Sequence, residues 1–249
     1  MVLSAQNRDF RELNKQIRNS RNDITLEGCC GQRFIGSGLK AGGNAPERSI
    51  IIHGTPGNAL GAYLDGASIE VHGNVQDAVG DTMNGGRIVV HGNAGDALGY
   101  AMRGGSIFVH GNAGYRTGIH MKQYKPASGP DKRPVIVVGG RAGCFLGEYL
   151  AGGLIIVLGI GCAEVPVGSF TGTGMHGGRI FIRTEKELTG LPSQVTAEAA
   201  TPEDMEEIHP ILSQFAALFG LDDCWLAEDR FLVLKPHAQN PYKQLYTAN

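Results

Sequence analysis

Between residues 24 and 182, aliphatic residues recur in pairs two positions apart. The pairs are Ile24 and Leu26, Ile50 and Ile52, Ile69 and Val71, Ile88 and Val90, Ile107 and Val109, Ile136 and Val138, Ile155 and Val157, and Ile180 and Ile182. Strict alternation in a short β-branched run predicts a strand with one face buried. Between the two inward positions of each later strand lies one residue that should face out. These are Ile51, Glu70, Val89, Phe108, Val137, Ile156 and Phe181, and six of the seven are apolar. A solvated outer face would be polar there, so something is expected to cover it.

The strands return at a fixed interval. Gly54, Gly73, Gly92 and Gly111 open units nineteen residues apart, Gly140 comes ten residues late, and Gly159 is back on nineteen. A second glycine row runs through Gly36, Gly61, Gly80, Gly99, Gly118, Gly147 and Gly172. Three residues after each stands a long apolar side chain: Leu39, Leu64, Met83, Met102, Met121, Leu150 and Met175. The connections are too short and too rich in glycine to hold a crossover helix, which excludes ordinary βαβ packing. Like residues at the same phase want to stack on like. The expected fold is therefore all-β: a single-stranded parallel β-helix of about seven coils, spaced about 4.8 Å apart. A sandwich or barrel also uses short strands and glycine turns, but would not usually keep a fixed period.

The ends read differently. Residues 7–19 have helical spacing in Phe10, Leu13 and Ile17, and residues 1–22 are expected to form a helical cap. The repeats fill 23–184. Residues 185–249 hold a second helix over 201–220, with Thr201 as N-cap and Pro202 in the first turn, and a last strand over 230–235. Pro210 should kink or split that helix. Two loops, 122–134 and 160–168, break the period.

Composition narrows the function classes. Glycine, at 38 of 249 residues, is about twice its usual share. In-phase isoleucine excludes a flexible linker. A formal charge of −2 and a pI near 6.4 argue against nucleic-acid or acidic-membrane partners, which need clustered Lys and Arg. No signal peptide or bilayer-length apolar run is expected. Five cysteines, Cys29, Cys30, Cys144, Cys162 and Cys224, form no C-x-x-C and read as free thiols in a reducing cytoplasm.

Candidate chemistry is sparse. His53, His72, His91 and His110 each follow an inward Val or Ile and should stack on the outside, about 5 Å apart. Four such imidazoles could hold a metal. The plainer expectation is a row of exposed turn-edge residues, with Asn74, Asn93 and Asn112 two positions on and no repeated Cys or acid beside them. No base pairs with a cysteine in sequence, and no phosphate-binding glycine motif stands between a strand and a helix. No catalytic or cofactor-binding residue is assigned. The outer row of Ile51, Val89, Phe108, Val137, Ile156 and Phe181 is expected to be an interface, because a helix broken at Pro210 would cover only part of it.

The unit G-x-x-G-x-x-x-G occurs as Gly54, Gly57 and Gly61 and again as Gly92, Gly95 and Gly99, with an M-x-G-G at Met102, Gly104 and Gly105. This resembles the C-terminal domain of the glutamate synthase large subunit, which implies a right-handed parallel β-helix. The repeat is also similar to that in one component of formylmethanofuran dehydrogenase. The tail, with Pro236 and then Tyr242–Lys243, resembles the end of glutamate synthase. There are departures: Met1–Val2 offers no N-terminal cysteine, cluster-spaced cysteines are absent, and Gln76 replaces one motif glycine. The resemblance implies a non-catalytic scaffold, with FMN and iron–sulfur centres in glutaminase-type and FMN-synthase-type partner subunits, and it allows a homo-oligomer. No catalytic residue of the family carries over. The formylmethanofuran likeness implies a component of one-carbon metabolism instead.

Overall fold

A computed structural model describes residues 1–40, 48–124, 132–222 and 230–237. Cys224, the middle of the 122–134 loop and the Tyr242–Lys243 pair lie outside the described residues. Eleven strands form one sheet among the described residues, in the order β1-β2-β3-β4-β5-β6-β7-β8-β9-β11-β10. They are β1 (Val2–Ser4), β2 (Ile24–Cys30), β3 (Ser49–Thr55), β4 (Asp65–His72), β5 (Gly85–Val90), β6 (Ser106–Val109), β7 (Val135–Val138), β8 (Ala151–Val157), β9 (Gly177–Arg183), β10 (Val195–Ala199) and β11 (Phe231–Pro236). Two helices, α1 (Phe10–Asn19) and α2 (Pro202–Phe219), complete the elements.

The eight strands expected from alternation are β2 to β9, parallel and in chain order. Their register puts isoleucine on isoleucine from Ile24 through Ile50, Ile69, Ile88, Ile107, Ile136 and Ile155 to Ile180. All eight are at most 1% exposed. A one-residue slip would turn every one of them to the other face, so the pattern itself selects this register.

The glycine row answers the isoleucine row. Gly61 has φ +64°, and a Cβ there would lie 2.7 Å from Cδ1 of Ile88. Gly147 has φ +65°, and its Cβ would lie 2.6 Å from Cδ1 of Ile180. From Gly36 to Gly147 each glycine therefore meets two demands, a left-handed turn and room for the tip of an isoleucine from a later unit, while Gly172 faces Val195 instead. The long side chains three residues on, from Leu39 to Met175, are buried in the same core. One further inward row escaped the pattern: Ile35, Leu60, Val79, Leu98 and Leu146, with Thr117 and Thr171 at the same phase. The two threonines fit because each hydroxyl donates to a carbonyl three residues back, Gly114 and Gly168.

The turns carry a second ladder, of parallel bridges from Val75 to Ala94, Ala113, Ala142 and Val167. Beside it Asn74, Asn93 and Asn112 each accept a backbone N–H from one unit on, at 2.8 Å. The asparagines recur because each one satisfies a donor that the turn leaves open.

The ends depart from expectation in two ways. Strand β1 adds a parallel edge to β2, and β11 pairs antiparallel with both β9 and β10. Helix α1 is capped by Asp9 and sends Leu13 and Ile17 into the isoleucine core. Helix α2 corrects the expectation that Pro210 would split it, because it is continuous through that residue. Pro210 is exposed, on the face where a freed carbonyl can meet water. The apolar residues on either side of it, Ile208, Leu212, Phe215 and Ala216, are all buried.

Candidate functional site

Helix α2 lies on the outer face of the sheet. It is anchored at its start by a capping box between Thr201 and Asp204. Asp204 also accepts from Arg179 at 2.9 Å and Lys235 at 3.2 Å, while Glu207 pairs with Arg133 and Arg179. Burial alone would raise the Asp204 carboxyl. Hydrogen bonds from Thr201 and Lys235, with the Lys235 charge, outweigh it and hold the group below its ordinary value. From this anchor Ile208, Leu212, Phe215 and Ala216 pack onto Val89, Phe108, Val137, Ile156 and Phe181.

That packing overturns the expected interface. Val89, Phe108, Val137, Ile156 and Phe181 are at most 2% exposed, covered from within the chain. Only Ile51, half-buried, lies outside the cluster under the helix. The expectation failed because Pro210 does not interrupt α2.

The histidine row lies where α2 ends. The rings of His53 and His72 stack with centroids 5.0 Å apart, and those of His72 and His91 at 4.4 Å. Phe219, the last residue of α2, sets its ring edge on His91 at 5.2 Å and lies 5.0 Å from His110. Acids do stand beside the row, against expectation. Glu70 Oε1 is 2.8 Å from His91 Nε2 and 3.3 Å from His72 Nε2, and Glu27 is 3.8 Å from His53. The sequence signal was present: Glu70 is the one acid in the outward row.

A second surface runs along the turns. Residues two before and two after each row glycine also take positive φ. Several units place alanine there, but Phe34, Tyr63, Phe145, Tyr149 and Phe170 have φ from 53° to 62°. A bulky L-residue in this region is an outlier with a cost on the order of 1–2 kcal/mol. The frame holds it through backbone bonds to the next unit, as from Tyr63 N–H to Asp81 at 2.7 Å and from Tyr149 N–H to Thr173 at 2.8 Å. These side chains add nothing to the core, and Tyr63 and Phe170 are each 56% exposed. They form surface pairs: Phe145 stacks on Phe170 at 4.9 Å and His120 on Tyr149 at 5.0 Å, with Arg116 over Phe145.

The described cysteines are free. Burial pushes the Cys29 thiol up to about 11, against a hydrogen bond to Gln32 that pulls the other way, so it is a poor nucleophile. A cleft beside the 160–168 loop is lined by Cys162, Glu164, Arg183, Lys186 and Arg230. Of its two acids, Glu164 and Glu185, Glu164 is paired with Lys186 at 2.6 Å. No helix among the described residues is long and apolar enough to cross a membrane.

In-register repeat strands, a helix-covered outer face and surface rows of histidine and aromatic residues define a repeat protein that presents surfaces. The chain belongs to the GXGXG motif family, which it matches over residues 4–228, the domain type found at the C-terminus of glutamate synthase. It is 41% identical over 260 residues to Uncharacterized protein MJ1350 of Methanocaldococcus jannaschii, covering 99% of this chain and 96% of that one.

Proposed function

We propose that this chain is a non-catalytic scaffold subunit of a glutamate synthase-like amidotransferase assembly, a soluble cytoplasmic complex of nitrogen metabolism. The observation that carries the reading is the family match over residues 4–228. Within this reading the strand rows and the bridge ladder from Val75 to Val167 are two walls of a right-handed parallel β-helix, and the paired left-handed turns are its corners. The partners are a glutaminase-type subunit and an FMN-synthase-type subunit, which carry the FMN and iron–sulfur centres. The exposed aromatic turns support it, since strained aromatic residues that leave the core unaided suit a docking edge.

Native purification followed by mass spectrometry tests this. The expected outcome is a fixed-stoichiometry complex containing a glutamine-hydrolysing and an FMN-binding subunit. Replacing Tyr149 and Phe170 together by serine should weaken that complex while the chain stays folded. Recovery with molybdopterin or formyl-transfer subunits would replace the proposal by the formylmethanofuran reading. Glutaminase activity in the pure chain would overturn the non-catalytic role.

A further inference from the structure

We propose that Glu70, His72 and His91 form a binding site for a divalent first-row transition metal ion at the place where α2 stops covering the sheet. This goes beyond the scaffold role and does not depend on which partners the chain has. The three donor atoms lie within 4.8 Å of one another. Ligand atoms held about 2.0–2.2 Å from a tetrahedral ion stand about 3.3 Å apart. Glu70 Oε1 stands 3.3 Å from Nε2 of His72 and 2.8 Å from Nε2 of His91, close to that spacing, while the two imidazoles, now stacked with centroids 4.4 Å apart, must turn about their side-chain bonds to aim both nitrogens at one ion. Two imidazoles and one carboxylate suit zinc, nickel or copper better than calcium or magnesium.

Two independent observations sharpen the site. The outward row is apolar at Ile51, Val89, Phe108, Val137, Ile156 and Phe181, and is interrupted once, by Glu70. That single exchange falls between His72, on its own strand, and His91, one unit on. The backbone also sets the two histidines on adjacent units before any ion arrives: Val71 and Val90, the residues before them, are register partners, and His91 N–H donates to the Val71 carbonyl at 2.9 Å. Phe219 forms an apolar wall on one side. The His72 and Glu70 side chains are 40% exposed and that of His91 29%, which leaves the remaining coordination positions open to water. His91 and Glu70 now share a hydrogen bond, and an ion would take the place of its proton.

The test uses the full chain, stripped with a chelator, desalted, and titrated with Zn²⁺ by calorimetry and with Co²⁺ by visible spectroscopy. One equivalent should bind, with a cobalt spectrum of low coordination number. His72→Ala, His91→Ala and Glu70→Gln should each weaken binding at least tenfold, while His110→Ala and His120→Ala leave it within twofold. Far-UV circular dichroism checks that each variant is folded, and Glu70→Gln, the mildest change, serves where an alanine variant is not. Lack of saturable binding to the unaltered chain would overturn the proposal. So would binding that survives the His72→Ala/His91→Ala double variant, or equal weakening by the His110 and His120 controls.

Discussion

The outer face of one sheet is built two ways. Over β5 to β9 its central row is apolar and lies under α2, with Phe108, Val137, Ile156 and Phe181 at most 1% exposed. Over β2 to β4 it carries Glu27, His53, Glu70 and His72 and stays open, with the Glu70 and His72 side chains 40% exposed. The backbone repeat is the same in both regions, so backbone geometry does not explain the difference. Helix length does. Eighteen residues span about 27 Å at the rise of an α-helix, which crosses between five and six strands spaced about 4.8 Å apart. Starting at β9, where Arg179 holds Asp204, the helix ends against His91. The residues beyond that point are free to be polar, and the histidine row sits at the boundary.

The largest expected effect breaks the covered region. Phe215→Ala removes a fully buried ring from beneath α2 and should cost about 3–5 kcal/mol in denaturant unfolding. Ile51→Ala, at the same sheet phase but past the helix end, should cost no more than about 1 kcal/mol. Equal losses would mean that α2 does not divide the face.

Next comes the anchor. Asp204→Asn keeps the size but removes the charge that Arg179 and Lys235 meet, and should cost about 1–3 kcal/mol at neutral pH. The folded carboxyl titrates below its ordinary value, so its contribution is present above about pH 4, where the unfolded group is ionised. It is lost as pH falls through the folded value. Melting curves of the two proteins should therefore converge in acid, and a constant gap down to low pH would place the effect in the hydrogen bonds alone.

Glu70→Leu sharpens the comparison from the other side. Stability should change by less than about 1 kcal/mol, since its pairs are partly exposed. The apolar row would then run from Ile51 to Val89 beyond the end of the helix, and sedimentation should show concentration-dependent self-association. A constant mass would show that Glu70 is not what keeps the open region solvated. The smallest effect belongs to His53→Ala, within about 0.5 kcal/mol by thermal melting.

The repeat was legible because parallel stacking in register places each residue on its counterpart one unit away. The isoleucine row, the glycine row and the long apolar row could be written down without coordinates for that reason. The row through Ile35, Leu60 and Val79 was harder to see, since threonine stands in it at 117 and 171 and hides its hydroxyl in a local hydrogen bond. The cap of α2 was local and readable: Thr201 begins the helix as its residue type predicts.

By itself the sequence determined the repeat strands β2 to β9, their register and the outward placement of His53, His72 and His91, because these follow from a period of two within strands and nineteen between most of them. Tertiary structure alone decided what covers the outward row. Nothing near Pro210 says that burial of Ile208 and Leu212 on either side of it will carry the helix through. Nothing near residue 230 says that β11 will pair antiparallel with β9 and close the stack. Glu70 and His91 are 21 positions apart in the chain, and only the stacking of one unit on the next brings the carboxylate to the imidazole.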